Sequence, residues 1–444
     1  MTLSWTLLEA AQATGGTVFG DPATHLAGVS TDSRAVRHGD LFVAVAGTTS
    51  DGHGFVDGAI DHGAAAVLVR AGMGIAAEPR VEVGDTTVAL RDLATHRRGQ
   101  LDVAVVAITG STGKTTTKDL LASALPGVYA APRSFNNEFG VPLTVLSAPD
   151  SARYLVAEVG SRGAGDIEYL MPAVKPDVAI ITNLGLVHLE TFGTTDRLAD
   201  AKWELVAGLG RGGVAVLPAD EPRLRRAHEG STVTFGVDYI ADVMAYDVEL
   251  DDAGRPRFRL MTPDDDVEVR LAMAGRHNAA NAAAAVAAAI GLDVDLETIL
   301  PGLEEASGSP WRMEIHRGRY TVVNDAYNAN PDSVAAALET VAAMSHHPIA
   351  VLGLMAELGH VAEAEHRRIG ALAVELGFRA VVTVGDDPGI ALGAGSIAHP
   401  VADDHEAAVV LKRIIEPNDV VLVKASRAVG LERLAAALIE ESAS

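Results

Sequence analysis

The segment Val103 to Leu121 constrains this chain more than any other. An unbroken apolar run, VAVVAIT, enters the turn Gly110-Ser111-Thr112-Gly113 and leaves as a helix-forming stretch. A short apolar run ending in glycine reads as a buried strand, and a strand–loop–helix unit belongs to an open parallel sheet. The loop Thr109-Gly110-Ser111-Thr112-Gly113-Lys114-Thr115-Thr116 has the chemistry of a phosphate cradle. Glycine permits the tight path, and the N–H groups of the loop and the helix N-terminus point at phosphate oxygens. Lys114 supplies a point charge for terminal phosphates, and the Thr115 hydroxyl suits Mg²⁺. The usual pattern, G-x-x-x-x-G-K-[ST], has Ile108 at its first glycine. Read alone, the segment also fits a glycine-rich turn with a chance Lys-Thr pair.

The chain of 444 residues is long enough for two to four domains. Three regions separate. The first, residues 1–98, holds the short apolar runs Leu41 to Gly47 and Ala64 to Val69, and ends in the Arg-bearing segment Arg91 to Gln100. The second, residues 99–310, holds the loop and further strand candidates at Tyr154 to Gly160, Val178 to Gly185 and Gly213 to Asp220. Val243 to Met273 alternates in polarity and reads as a small antiparallel insertion, and His277 to Ile290 reads as an alanine-rich helix. The third, residues 311–444, repeats the strand–helix alternation from Thr321 to Ser426. The predicted class is α/β with three domains: a central doubly wound parallel sheet carrying the loop, an N-terminal domain, and a C-terminal Rossmann-like domain.

Composition narrows the functions. A formal net charge of −24 argues against nucleic acid as a partner and weakens docking on anionic lipid. The absence of cysteine excludes disulfides, thiolate metal sites and a cysteine nucleophile. The N-terminal stretch carries Glu9 within its apolar part and reads as an amphipathic helix, with Leu3, Leu7, Leu8 and Ala11 on one side, rather than as a signal peptide. No apolar run reaches the roughly 18 residues of a membrane span. A soluble cytoplasmic protein is expected, and a monomer.

With T-G-x-x-G-K-T-T after a strand, the chain resembles the Mur ligases, which add amino acids to the peptidoglycan precursor, and the resemblance explains Ile108. It runs over essentially the whole chain. Ser30-Thr31-Asp32-Ser33-Arg34 with Gly39 to Ala44 resembles the uridine-nucleotide domain of the members adding the third and later residues. Asn136 to Pro142 resembles the segment after the first loop helix. Asn324-Asp325-Ala326-Tyr327-Asn328-Ala329-Asn330-Pro331-Asp332-Ser333 is the most specific signature. It points to the branch that joins D-alanyl-D-alanine to UDP-N-acetylmuramoyl-tripeptide, using ATP and Mg²⁺. The domains are then a UDP-substrate domain, an ATPase domain, and a domain that closes on ATP and receives the amine. Two other readings stay open: a ligase of the folylpolyglutamate-synthase type or a divergent paralogue with another acceptor, and a nucleotide-binding module without activity.

The resemblance also implies roles. Lys114, Glu158, His188 and Lys202 become catalytic, and Thr115, Glu158, His188 and a carbamylated Lys202 become Mg²⁺ ligands, a carbamate offering the oxygens that hard cations prefer. Asn278 is expected on the adenine, Arg312 on phosphate or ribose, and Asp325 on ribose or phosphate from the opposite domain. Thr31, Asp32, Ser33, Asn137, Tyr327, Asn328 and Asn330 are expected to bind substrate. Read alone, Glu158 fits a strand-end ion pair, His188 a surface histidine, Lys202 a solvated helical lysine, Asn278 a helix cap, and Thr31 to Ser33 a plain Asx turn. Three positions depart from the pattern: Leu354 where Asp is usual, Ala425 where Gly is usual, and Arg276 where Asn is frequent.

Overall fold

The computed structural model describes residues 4–47, 50–132, 134–185 and 189–443. His188 lies outside the described residues, as do Leu3, which was expected on the N-terminal helix, and Leu186 and Val187.

The strand candidates all become strands of three main sheets. The central sheet has nine strands in the order Asp266–Arg270, Pro256–Met261, Val243–Leu250, Ser231–Val237, Val214–Pro218, Val178–Ile181, Ala104–Thr109, Tyr154–Glu158, Val128–Ala130. Pairing is parallel from Val128–Ala130 through Val243–Leu250 and antiparallel beyond. The stretch expected as a small antiparallel insertion does pair antiparallel, and it does so as a continuation of the central sheet. Alternation of polarity reports one solvated face, and says nothing about whether a strand joins the main sheet. The N-terminal sheet runs Thr17–Phe19, Arg80–Val83, Ala66–Arg70, Asp40–Val43, Gly28–Ser30, and the C-terminal sheet Glu314–Arg317, Thr321–Asn324, Val420–Lys424, Pro348–Gly353, Ala380–Val384, Ala398–Val401. Each of these is parallel apart from its first pair.

The N-terminal helix spans Leu7–Thr14 and buries Leu7, Ala10 and Ala11, whereas Leu8 is exposed. It starts in a capping box, where Thr6 accepts from the N–H of Glu9 and the Glu9 carboxylate accepts from the N–H of Thr6. The alanine helix Asn278–Ile290 buries nearly its whole surface, lying against the strands Ser231–Val237 and Val243–Leu250 and the loop helix Lys114–Ala124. Methyl side chains let it approach that closely.

One hydrophobic core joins the N-terminal sheet to one face of the central sheet through the helix Thr86–Gln100, running from Trp5 and Leu7 to Leu217 and Leu224. A second fills the other face of the central sheet. The C-terminal sheet has its own core on each face, from Met313 and Val323 to Leu438. The first two regions are thus welded, and the third is a separately cored body. Among the described residues no helix is long and apolar enough to cross a membrane.

Candidate active site

The strand Ala104–Thr109 lies inside the parallel sheet between Val178–Ile181 and Tyr154–Glu158, so its C-terminal end opens where connections diverge to either side. Ligands of open α/β sheets collect there. Gly110 has φ 144°, and a Cβ built on it would lie 1.9 Å from Thr182 Oγ1. Gly113, the N-cap of the loop helix, has φ 79°, and its Cβ would lie 2.4 Å from Asn281 Oδ1. Only glycine fits either position. Thr182 Oγ1 donates to the carbonyls of Thr109 (3.2 Å) and Thr112 (2.5 Å), and Asn183 Oδ1 accepts from the N–H groups of Ser111 (3.1 Å) and Thr112 (2.9 Å). Neither Thr182 nor Asn183 was singled out in the sequence. Both come from a neighbouring strand end some 70 residues away, and only the fold makes them neighbours. Lys114 Nζ folds back to donate to the Gly110 carbonyl at 2.7 Å. Desolvation pushes its pKa down; Glu158 opposes this and Arg312 adds to it.

Thr115 is the hub of the site. Its hydroxyl donates to Glu158 Oε2 at 2.8 Å, while Asn136 Nδ2 donates to Glu158 Oε1 at 2.8 Å. Ser134 Oγ lies 3.0 Å from Thr115 Oγ1. From the C-terminal body, Arg312 Nη2 donates to Thr115 Oγ1 (3.0 Å) and Ser134 Oγ (3.2 Å), and its guanidinium lies over the Tyr327 ring with 4.1 Å to the centroid. One turn along the loop helix, Lys118 Nζ donates to the Ala131 carbonyl at 2.9 Å and pairs with Asp119, which accepts from Ser309 N at 2.9 Å and Ser309 Oγ at 2.6 Å. This pair, also not picked out from sequence, braces the two segments that bring Ser134 and Arg312 to Thr115.

The opposite wall is built by the C-terminal sheet. Asp325 Oδ1 accepts from Met313 N at 3.1 Å, and Oδ2 forms a 2.6 Å ion pair with the buried Lys424, whose Nζ also donates to the Asn328 carbonyl at 2.8 Å. Asn278 is not a cap. It is the first residue of its helix, donates to the Ala274 carbonyl at 2.7 Å and accepts from Asn281 at 2.8 Å. These residues, with the loop from Ser111 to Thr116, Glu158 and Arg312, line one cavity of about 860 Å³, a size that accommodates a nucleotide. Thr109 and Gly110 lie beneath it, Thr109 wholly buried.

A second cavity of about 810 Å³ lies on the other side of Lys114, and Lys202 lines it. The Lys202 ammonium position is 2.9 Å from Ser161 Oγ and the residue is 1% exposed. Burial, reinforced by Lys114, brings its pKa down from 10.5 to about 7; Asp166 and Glu204 act in the opposite direction. It is therefore no solvated helical lysine. Asn137, Tyr327, Asn328 and Asn330 line this cavity too. The side chains of Asn137 and Asn330 are also engaged locally: Asn137 Oδ1 accepts from Gly140 N at 2.9 Å in an Asx-type turn before the helix, and Asn330 caps its helix by accepting from Ser333 N at 2.9 Å.

Thr31, Asp32 and Ser33 line neither cavity. They follow the strand Gly28–Ser30 in an Asx turn, where Asp32 accepts from Arg34 N at 3.0 Å and takes the Arg34 guanidinium in a two-point ion pair that lowers its pKa. Of the departures, Ala425 is fully buried, and a Cβ on the facing Gly353 would lie 2.8 Å from its methyl, so one glycine accommodates the other's replacement. Leu354 is exposed. Arg276 is held by Asp238 at 2.8 Å.

Comparison with known proteins matches three family models: the Mur ligase family catalytic domain over residues 25–98, the Mur ligase middle domain over 108–289, and the Mur ligase glutamate ligase domain over 311–427. The UDP-N-acetylmuramoyl-tripeptide–D-alanyl-D-alanine ligase of Mycobacterium tuberculosis is 38% identical over 93% of this chain and 92% of its own. The crystal structure of MurF from Acinetobacter baumannii superposes with a TM-score of 0.90 at 33% identity, covering 99% of each chain. The MurF ligase from Thermotoga maritima in complex with ADP superposes with a TM-score of 0.83 at 29% identity, covering 93% of this chain and 97% of that one.

Proposed function

This chain belongs to the Mur ligase family, and we propose that it joins D-alanyl-D-alanine to the terminal carboxylate of UDP-N-acetylmuramoyl-tripeptide, with cleavage of ATP to ADP and phosphate, in peptidoglycan precursor synthesis. The observation that carries the reading is that the two cavities share one wall. Ser111, Lys114, Asn136, Tyr327, Asn328 and Asn330 line both. A γ-phosphate delivered from one side meets a carboxylate delivered from the other at Lys114.

In this reading residues 1–98 hold the uridine nucleotide through Thr31, Asp32 and Ser33, residues 99–310 bind ATP, and residues 311–444 close over ATP and receive the amine. The loop N–H groups from Thr109 to Thr116 hold the phosphates, which requires Asn183 to release those of Ser111 and Thr112. Asn278 faces the adenine, and Arg312 and Asp325 contact phosphate or ribose. Lys114 neutralises charge on the transferring phosphoryl group. The substrate carboxylate attacks the γ-phosphate and ADP leaves. The dipeptide amine then attacks the acyl phosphate carbonyl, phosphate leaves with the C–O bond electrons, and the amine gives up a proton.

Mg²⁺ fits the donor set: Glu158 and Thr115 present only oxygens on the phosphate side, and Lys202, with Lys114 in the lining of the second cavity, is an amine that is half neutral near pH 7. That amine can add CO₂ and lose a proton to become a carbamate, a further oxygen ligand, with His188 as the remaining one. When bound, the cation screens phosphate charge and polarises the transferring group. We read the enzyme as a cytoplasmic monomer, a reading supported by the lining of both cavities from a single chain and by the use of ATP and a UDP-linked substrate. An acceptor panel tests the reading. ADP release should require UDP-N-acetylmuramoyl-tripeptide and be fastest with D-alanyl-D-alanine, ahead of D-alanyl-D-lactate, single amino acids and polyglutamate. A preference for polyglutamate or a single amino acid would overturn it.

A further inference from the structure

The acceptor proposed above is a dipeptide with a free C-terminal carboxylate, and this inference rests on that reading. A carboxylate entering a cavity of an acidic protein needs a fixed cation. Four cations line the second cavity: Lys114, Lys202, Arg162 and Arg427. Lys114 belongs to the phosphate loop. Lys202 is 1% exposed, bonded to Ser161 and taken up by the carbamate in the reading above. Arg162 comes from the central body, to which the reading above gives ATP and not the amine. Arg427 comes from the C-terminal body, one residue after Ser426, whose hydroxyl accepts from Ala356 N at 2.8 Å.

Arg427 is also preorganised. Its guanidinium lies over the Trp311 ring, 4.7 Å from the centroid, and pairs with Glu432 at 3.2 Å, leaving its side chain 52% exposed toward the cavity. Trp311 itself has φ 62°, a left-handed conformation that is unfavourable for a bulky side chain. The hydrogen bonds from Trp311 N to Glu314 and from Tyr327 N to the Trp311 carbonyl hold it there. Strain of this kind, held by surrounding bonds, concentrates at ligand clamps. On the same wall stands Glu357, so the C-terminal body presents one acid and one cation, the pairing that suits the two ends of a dipeptide. We propose that Arg427, stacked on Trp311, is the anchor for the C-terminal carboxylate of the incoming dipeptide and sets the enzyme's preference for an acceptor that carries one.

The test compares kcat/KM for D-alanyl-D-alanine with that for its C-terminal amide, in the full-length enzyme with ATP and UDP-N-acetylmuramoyl-tripeptide. Wild type should prefer the acid by at least about tenfold, the usual worth of a charge-assisted hydrogen bond. Arg427→Ala should raise KM for the acid by a similar factor and bring acid and amide within about threefold, with KM for ATP and the melting temperature unchanged. Arg427→Gln serves if the alanine variant does not fold. An Arg427 variant that keeps the wild-type preference overturns the proposal, as does a collapse of preference in Arg162→Ala alone. A wild-type enzyme with no dipeptide-dependent ADP release would instead refute the reading on which the proposal rests.

Discussion

Burying an ammonium away from an acid is costly, and Lys202 meets that cost by giving up its proton near pH 7. The folded pKa lies below the unfolded one, so between about 7 and 10.5 the unfolded chain binds more protons, and stability attributable to this group rises with pH across that window. The fraction of neutral amine rises through the same lower bound. At constant dissolved CO₂, activity should therefore rise through about pH 7 and level off. Lys202→Ala should lose on the order of 10²-fold in kcat, and formate or acetate should restore part of it by filling the vacated site. Lys202→Arg should not be rescued. Full activity of Lys202→Ala without added acid would remove the carbamate role. Lys114→Ala should cost on the order of 10²–10³-fold in ADP production with the fold intact. The two lysines differ in how they could be read. Lys114 announces itself by its loop, whereas nothing in Ala201-Lys202-Trp203-Glu204 distinguishes a buried lysine from a solvated one. Only family resemblance did so. Asn183, Asp119 and Lys424 were missed because their partners are 70 or more residues away.

At the scale of elements, the order of strands and helices followed from apolar runs and their bounding glycines. The phosphate loop was legible because strand, glycine, lysine and hydroxyl occur consecutively. What could not be read was which strands share a sheet, as Val243–Leu250 illustrates: its parallel partner Ser231–Val237 is adjacent in sequence, a connection that alternating polarity does not reveal. The loop's geometry gives a prediction of its own. Gly110→Ala must displace Thr182, and Gly113→Ala must adopt φ near 79° against Asn281. Each should lower stability by about 1–3 kcal/mol and weaken ADP binding, measured by thermal melting and calorimetry. The alanine helix makes a complementary case. Ala284→Leu would overpack a site with no exposed surface and should cost about 1–3 kcal/mol while leaving the loop residues untouched.

The whole molecule is two welded regions and a third body that meets them through polar contacts at the cleft. Arg312 on Thr115 and Ser134 and Arg317 on the Asp252 carbonyl are such contacts, and bodies joined in this way move relative to one another by default. Arg312→Ala removes a bridge between the bodies and should raise KM for ATP by about tenfold, the scale of a charged hydrogen bond, with little change in melting temperature. The same closure brings the shared wall at Lys114 between two substrates, and the central claim is that a phosphoryl group passes across that wall to a carboxylate. Isotope transfer tests it most directly. UDP-N-acetylmuramoyl-tripeptide labelled with ¹⁸O in its terminal carboxylate is turned over with ATP and D-alanyl-D-alanine, and the released phosphate is examined by mass. One ¹⁸O per phosphate, appearing only when all three substrates are present, is the predicted result; unlabelled phosphate, or ADP formed at the same rate without the dipeptide, would contradict it.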